Sequence, residues 1–238
     1  MSFRSRPRCR WLLDLELMPF DLLVFDLDGT LIDSALDLAL SVNAACVQMG
    51  YPELEHETVF GYVGDGAPML IKRSLGKGAP QSDVDDALQL FLEYYSDHML
   101  DNTRLYPGVL ESLDAFRAAG KKMAVLTNKP ERFSRRIIDG LELPDYFFQI
   151  YGGDSFEQKK PDPEGLCRLM DEAEVESERT LMVGDSSVDI LTAVNSGAKS
   201  CGVTYGLRPE SLKTHPPDIL VDAMPELAAR LGLAIEAV

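Results

Sequence analysis

Leu22-Leu23-Val24-Phe25-Asp26-Leu27-Asp28-Gly29-Thr30-Leu31 passes from apolar to acidic and then to a glycine within one short stretch. An apolar run of strand length that ends in two carboxylates and a glycine is the pattern of a buried strand delivering acids onto a tight turn. Residues i and i+2 of an extended chain point to the same side, so Asp26 and Asp28 can face one small volume at the strand's end. Their mutual repulsion there favours a shared cation or an altered pKa. Taken alone, the stretch also fits a strand followed by an ordinary Asp-Gly turn.

Downstream, the apolar spacing predicts a helix over 34–50, with Asp33 or Ser34 as N-cap and Gly50 as its stop. A glycine-rich loop, Gly61-Tyr62-Val63-Gly64-Asp65-Gly66, precedes a short helical segment ending near Gly76, and a further helix is expected over 82–99. No strong strand signal lies between about 34 and 103, whereas both flanks carry short apolar strands, so a helical insertion in an α/β domain is expected. Beyond Leu105-Tyr106-Pro107-Gly108, helices are expected at about 108–119, 131–139, 163–174 and 188–196. Strands are expected at 122–126, 147–151, 180–183, 200–204 and 218–221. Strand and helix units alternating at this length imply an α/β fold with a doubly wound, mostly parallel sheet. In such sheets ligands bind beyond the carboxyl ends of the strands.

That rule selects Asp26 and Asp28, Thr127 and Asn128, and Asp185, with Lys159 and Lys160 in a polar loop between. Three carboxylates make a hard-oxygen site suited to Mg²⁺. A hydroxyl, an amide and an ammonium suit phosphate oxygens. Individually each has a plainer explanation: Thr127 and Asn128 as caps of the next helix, Lys160 as a solvated lysine, Asp185 as a turn residue.

The composition bounds the partners. The 238 residues are 45% hydrophobic, enough for a sizeable core in one large or two modest domains. A formal charge of −16 repels phosphate polyanions, so neither nucleic acid nor an anionic membrane is expected as a partner, and an anionic substrate requires a local positive site. Cys9, Cys46, Cys167 and Cys201 are scattered without zinc-ligand spacing, as free thiols in a reducing compartment are, and the expected location is cytoplasmic. His56, His98 and His215 form no recognisable constellation. Asp14, Glu16 and Asp21 interrupt the only apolar run near the N-terminus, so no membrane span is expected. Residues 1–19, with Arg4, Arg6, Arg8 and Arg10 and no early acid, share the basic character of a transit or signal peptide. Asp14 and Glu16 spoil a signal-peptide core, and a disordered extension is expected.

Together DLDGTL at 26–31, LTN at 126–128, KKPDP at 159–163 and GDSSVD at 184–189 resemble the four motifs of the haloacid dehalogenase-like phosphatase superfamily, in the usual order. The resemblance covers nearly the whole chain from about residue 20. It implies a core of 20–33 and 104–238 and a small α-helical cap domain of 34–103. It further implies Asp26 as nucleophile through an aspartyl-phosphate, Asp28 as general acid and then base, and Thr127 and Asn128 as phosphoryl ligands. Lys160, directly before Pro161, would neutralise Asp26 and phosphate. Mg²⁺ would be held by Asp26, the Asp28 backbone carbonyl and Asp185, with Asp189 ligating it or orienting its waters. The loop 61–66 with Ala67-Pro68, Lys72 and Arg73 resembles the phosphoglycolate phosphatase branch, which implies 2-phosphoglycolate, a small phosphorylated metabolite, as substrate and gives Gly64, Asp65, Gly66 and Arg73 substrate contacts. A sugar-phosphate mutase or a pyrophosphatase are the enzymatic alternatives; a dehalogenase would not need Asp28. A non-catalytic phospho-ligand-binding protein is the alternative of another class.

Overall fold

A computed structural model describes residues 20–234; the expected N-terminal extension and Cys9 lie outside them. The chain runs β1 (Leu22–Phe25), β2 (Ile32–Asp33), α1 (Ala35–Gln48), α2 (His56–Phe60), α3 (Ala67–Leu75), α4 (Gln81–His98), β3 (Arg104–Leu105), α5 (Val109–Ala118), β4 (Lys122–Leu126), α6 (Glu131–Gly140), β5 (Gln149–Tyr151), α7 (Glu164–Ala173), β6 (Thr180–Gly184), α8 (Ser187–Ser196), β7 (Lys199–Val203), β8 (Ile219–Val221) and α9 (Met224–Arg230). Six strands form one parallel sheet in the order β5-β4-β1-β6-β7-β8. The predicted doubly wound α/β fold is therefore the observed one.

β1 is central, pairing in register with β4 (Leu22 with Lys122) and with β6 (Leu22 with Thr180). All four of its residues are fully buried, because helices cover both faces of the sheet and a strand in that position can expose neither alternating set. Leu23 and Phe25 belong to one apolar cluster and Leu22 and Val24 to the other, on opposite sides. Phe25 stacks on Phe116 at 6.0 Å between centroids. The strand ends point the same way, so Asp26, Thr127 and Asp185 emerge on one rim.

The expected helical stretch between Asp33 and Thr103 holds α1 to α4 and, among the described residues, no strand of its own. Three details differ from the sequence reading. The helical stretch is bracketed by a short antiparallel ribbon, β2 with β3, whose two-residue strands are too brief to give a periodic signal. α2 and α9 were not anticipated, both being short helices. Ser34 does not cap α1 with its side chain; its hydroxyl donates to Asp28 Oδ1 at 2.5 Å. Elsewhere the expected element ends shift by a residue or two: the strand expected from Phe147 begins at Gln149, and that expected at 200–204 spans 199–203.

Asp37, in the first turn of α1, is 1% exposed. Its carboxylate accepts hydrogen bonds from the Asn102 and Thr103 backbone N–H groups, the Asn102 amide at 2.8 Å and the Thr103 hydroxyl at 2.8 Å. One buried anion thus ties the outgoing chain to the returning one beside the β2–β3 ribbon. Asp37→Ala leaves those donors without their acceptor and is expected to lower the unfolding free energy by about 2–4 kcal/mol in urea titration; a change below about 0.5 kcal/mol would show that the clamp is dispensable.

Candidate active site

The carboxyl ends of β1, β4 and β6 and the loop before α7 converge on one cluster. Asp26 follows β1 directly, and its Oδ1 accepts from the Leu27 backbone N–H at 2.8 Å and faces Lys160 Nζ at 3.0 Å. Lys160 is 5% exposed and also meets Asp189 Oδ1 at 2.6 Å. The other Asp189 oxygen accepts from the Ser186 hydroxyl at 2.8 Å and its backbone N–H at 3.2 Å, a capping box at the start of α8. Both Asp189 oxygens are thereby engaged, and they hold the Lys160 ammonium against Asp26.

Asp185 sits at the end of β6, 4% exposed, with Oδ2 accepting the backbone N–H groups of Leu207 at 2.6 Å and Arg208 at 3.0 Å. It lies between two glycines. A Cβ at Gly29 would stand 2.4 Å from Asp185 Oδ2 and one at Gly206 2.3 Å from Asp185 Cβ, and Gly29 has φ +83° besides. The glycine of the opening stretch therefore leaves room for a third acid as well as making the turn.

Oxygens of Asp26, Asp185 and Asp189 lie within 4.8 Å of one another, and they form the only such acidic, histidine or cysteine cluster among the described residues. Burial, then the neighbouring carboxylates, push Asp185 up to about 7. Burial also raises Asp26 to about 6 against the pull of Lys160, with Asp189 and Asp28 adding to the rise. Close-packed carboxylates with an unspent oxygen on Asp26 and on Asp185 fit a hard divalent cation. The glycine cradle around Asp185 fits it too.

Asp28 points elsewhere. Its oxygens take Lys129 Nζ at 3.0 and 3.1 Å as well as the Ser34 hydroxyl. Lys129 is 7% exposed and its Nζ lies 4.6 Å from the centre of the Tyr95 ring. The Asp28 and Tyr95 side chains outweigh the burial that would discharge it, so its pKa stays above the ordinary lysine range. Lys129 was not read as a site residue from the sequence; its position directly after Thr127-Asn128, where β4 has ended and α6 has not begun, is the signal that could have found it. The Tyr95 phenol is pushed up to about 12 by burial, which Lys129 partly offsets, and it stays neutral.

Thr127 and Asn128 are both buried on the same pocket wall as Asp26, Asp28, Gly64 and Gly66. The Asn128 amide donates to the Gly64 carbonyl at 3.1 Å and the Lys160 carbonyl at 3.0 Å. Both amide hydrogens are thus spent, and the backbone N–H remains to meet an anion. Neither residue caps α6. Asp65 and Arg73 pair with each other at 2.6 Å, and Asp65 also pairs with Arg208 at 3.2 Å. Arg208 further donates to the Val63 carbonyl at 3.1 Å, and Lys159 to the Asp65 carbonyl. The loop 61–66 is therefore fastened by Asn128, Lys159 and Arg208, which lie beyond the carboxyl ends of the sheet strands. Lys159 faces that loop, and Lys160 faces the acids.

The family model of haloacid dehalogenase-like hydrolases matches residues 23–203. The chain belongs to that family. Haloacid dehalogenase-like hydrolases similar to it include the phosphoglycolate phosphatase of Vibrio parahaemolyticus, 41% identical over 213 residues, covering 87% of this chain and 93% of that protein. The phosphoglycolate phosphatase of Pseudomonas putida is 41% identical over 210 residues, covering 84% of this chain and 76% of the relative. Among solved structures, a predicted phosphoglycolate phosphatase from Haemophilus somnus superposes with a TM-score of 0.83 at 31% identity, over 89% of this chain and 97% of that one. CbbY from Rhodobacter sphaeroides, solved with phosphate, reaches 0.71 at 21% identity over 90% of this chain and 100% of that one, a likeness of fold.

The raised Asp26 and Asp185 values carry a sign. Their unfolded carboxyls ionise near 3.8 while the folded ones hold protons up to about 6 and about 7. The metal-free fold therefore loses their contribution as pH rises across that window, and a bound divalent cation restores it above the window. Mg²⁺ or Ca²⁺ added to metal-stripped protein is expected to raise the melting temperature by roughly 5–10 °C at pH 8 and much less at pH 5.5. Equal shifts at both pH values would place the cation away from this cluster.

Proposed function

We propose that the protein is a Mg²⁺-dependent phosphomonoester hydrolase that works through an aspartyl-phosphate and acts on 2-phosphoglycolate. One observation carries the reaction class. Asp26 and Asp28 line one pocket, yet each is held by a different lysine, Lys160 for Asp26 and Lys129 for Asp28. Two carboxylates of one strand end in unlike surroundings suit unlike roles, one as nucleophile and one as proton carrier.

In this reading an oxygen of Asp26 attacks phosphorus in line. The P–O bond to the leaving group breaks as Asp28, in its acid form, gives that oxygen a proton. Water then attacks the phosphorus of the aspartyl-phosphate, Asp28 takes a proton from it, and inorganic phosphate and free Asp26 result. Lys160, fixed by Asp189, balances charge on Asp26 and on the phosphoryl oxygens. The Thr127 hydroxyl and the Asn128 backbone N–H orient those oxygens. Asp26 and Asp185 would hold Mg²⁺, with Asp189 behind them positioning Lys160; the ion would supply charge neutralisation for the transferring group.

The four helices between β2 and β3 are read as a cap over the pocket, with residues 34–103 as its span and 20–33 and 104–238 as the core. Tyr95 and Phe91 of α4 and Leu70 of α3 line the same cavity as Asp26, which supports exclusion of water during transfer. The substrate follows from the relatives named above. No helix among the described residues is long and apolar enough to cross a membrane, and Cys46, Cys167 and Cys201 are free thiols, as a cytoplasmic enzyme's are.

Asp26→Asn is expected to reduce phosphate release from 2-phosphoglycolate by at least about 10⁴-fold, with the folded circular-dichroism spectrum retained and no acid-stable phosphoenzyme in rapid quench. A variant with near wild-type turnover would refute the mechanism. In a Mg²⁺-supplemented panel, kcat/KM for 2-phosphoglycolate should exceed that for sugar phosphates, nucleotides and pyrophosphate. A sugar phosphate ranking first, or phosphate returned to the sugar, would refute the substrate.

A further inference from the structure

A hydrolase of this kind needs one lysine beside its nucleophile, and Lys160 fills that place. Lys129 is a second buried ammonium. Its three N–H donors face two Asp28 oxygens and the Tyr95 ring, so the carboxylate does not exhaust them. Tyr95 itself is 1% exposed and lines the pocket, and no hydrogen bond of ordinary geometry reaches its hydroxyl among the described residues, Lys129 being the polar group beside it. The hydroxyl has little freedom to seek one. The ring stacks on Phe91 at 5.5 Å and meets Phe133 edge-on at 5.5 Å. A buried hydroxyl left unpaired is costly in a folded protein, and a polar atom kept in that state at the wall of a pocket points to a ligand.

The ligand's chemistry follows from the donors. A cation and a neutral phenol O–H together suit an anion, and the apolar walls around them include Leu38, Leu70, Phe91 and Phe133. We propose that Lys129 and Tyr95 form the subsite for the carboxylate of the leaving group, and that this pair selects 2-phosphoglycolate among phosphate esters. The assignment rests on the phosphoglycolate reading above.

Placement agrees with it. With phosphorus against Asp26 and the ester oxygen facing Asp28, a carboxylate one methylene beyond that oxygen comes to the group already lying against Asp28, which is Lys129. The substrate carboxylate then shares the ammonium with Asp28 and takes the Tyr95 hydrogen bond. An ester without a carboxylate leaves both donors unmet, and a site discriminates most strongly through polar groups that the wrong ligand leaves unpaired.

The test is the ratio of kcat/KM for 2-phosphoglycolate to that for ethyl phosphate, measured with Mg²⁺ in the wild type, Lys129→Met and Tyr95→Phe. The ratio is expected to fall about 100-fold in Lys129→Met and about 10-fold in Tyr95→Phe, whatever the absolute rates. Tyr95→Phe preserves the ring packing and serves if Lys129→Met does not fold. If Lys129 acts only by holding Asp28, both esters suffer alike because both need the same proton, and an unchanged ratio overturns the subsite while the phosphoglycolate reading stands. A wild-type ratio near one overturns that reading and the subsite with it.

Discussion

Four carboxylates and two ammonium groups share one small, nearly dry volume. Asp26, Asp28, Asp185 and Asp189 are set against Lys129 and Lys160, and burial makes each imbalance expensive. The surrounding architecture is arranged around that deficit. Lys160 is clamped between two acids, Asp185 is wedged between glycines and two backbone N–H groups, and Asp28 is turned aside to its own lysine. Burial, with the neighbouring carboxylates adding to it, keeps Asp26 and Asp185 protonated to higher pH than a surface carboxylate, and the remaining excess of negative charge suits the cluster to a dication.

Most of the frame could be read without coordinates. A strand covered on both faces must be continuously apolar, so Leu22–Phe25, Lys122–Leu126 and Thr180–Gly184 stood out, and the rule that ligands gather at carboxyl ends then located Asp26, Thr127 and Asp185. Side-chain direction was harder. Asp189, expected as a metal ligand or a water-orienting group, lies in the acidic cluster with Asp26 and Asp185 and contacts Lys160 and Ser186 as well, which the sequence does not indicate. Asp65 and Arg73, expected to meet substrate, also pair with each other, a contact that sequence spacing does not reveal. Lys129 escaped notice because a lysine beside a loop is normally solvated, and only the packing of α4 over the rim buries it. No local pattern in the sequence encodes that long-range contact.

The attachments of the 61–66 loop differ in kind from the rest of the interior. Where α1, α3 and α4 pack on one another the contacts are apolar, but the loop is fastened by an amide, two basic side chains and backbone carbonyls. Polar ties exchange readily with water and lose strength with salt, whereas the buried Asp37 clamp at the ribbon does not. The helical stretch is thus held by a buried charge clamp at its base and by solvent-sensitive polar ties at its rim.

The position of β1 also bears on how the chain acquires its fold. Its partners lie about 100 and about 158 residues downstream, so this fully buried strand is the first of the sheet to be synthesised and gains its second neighbour only when β6 has been made. Until β6 has been made, a continuous apolar segment lacks its second neighbour and offers an open edge to other chains. Such distant pairings also slow the search for the native topology. The same central placement that delivers Asp26 to the rim gives the first strand made the longest sequence separation from its neighbours.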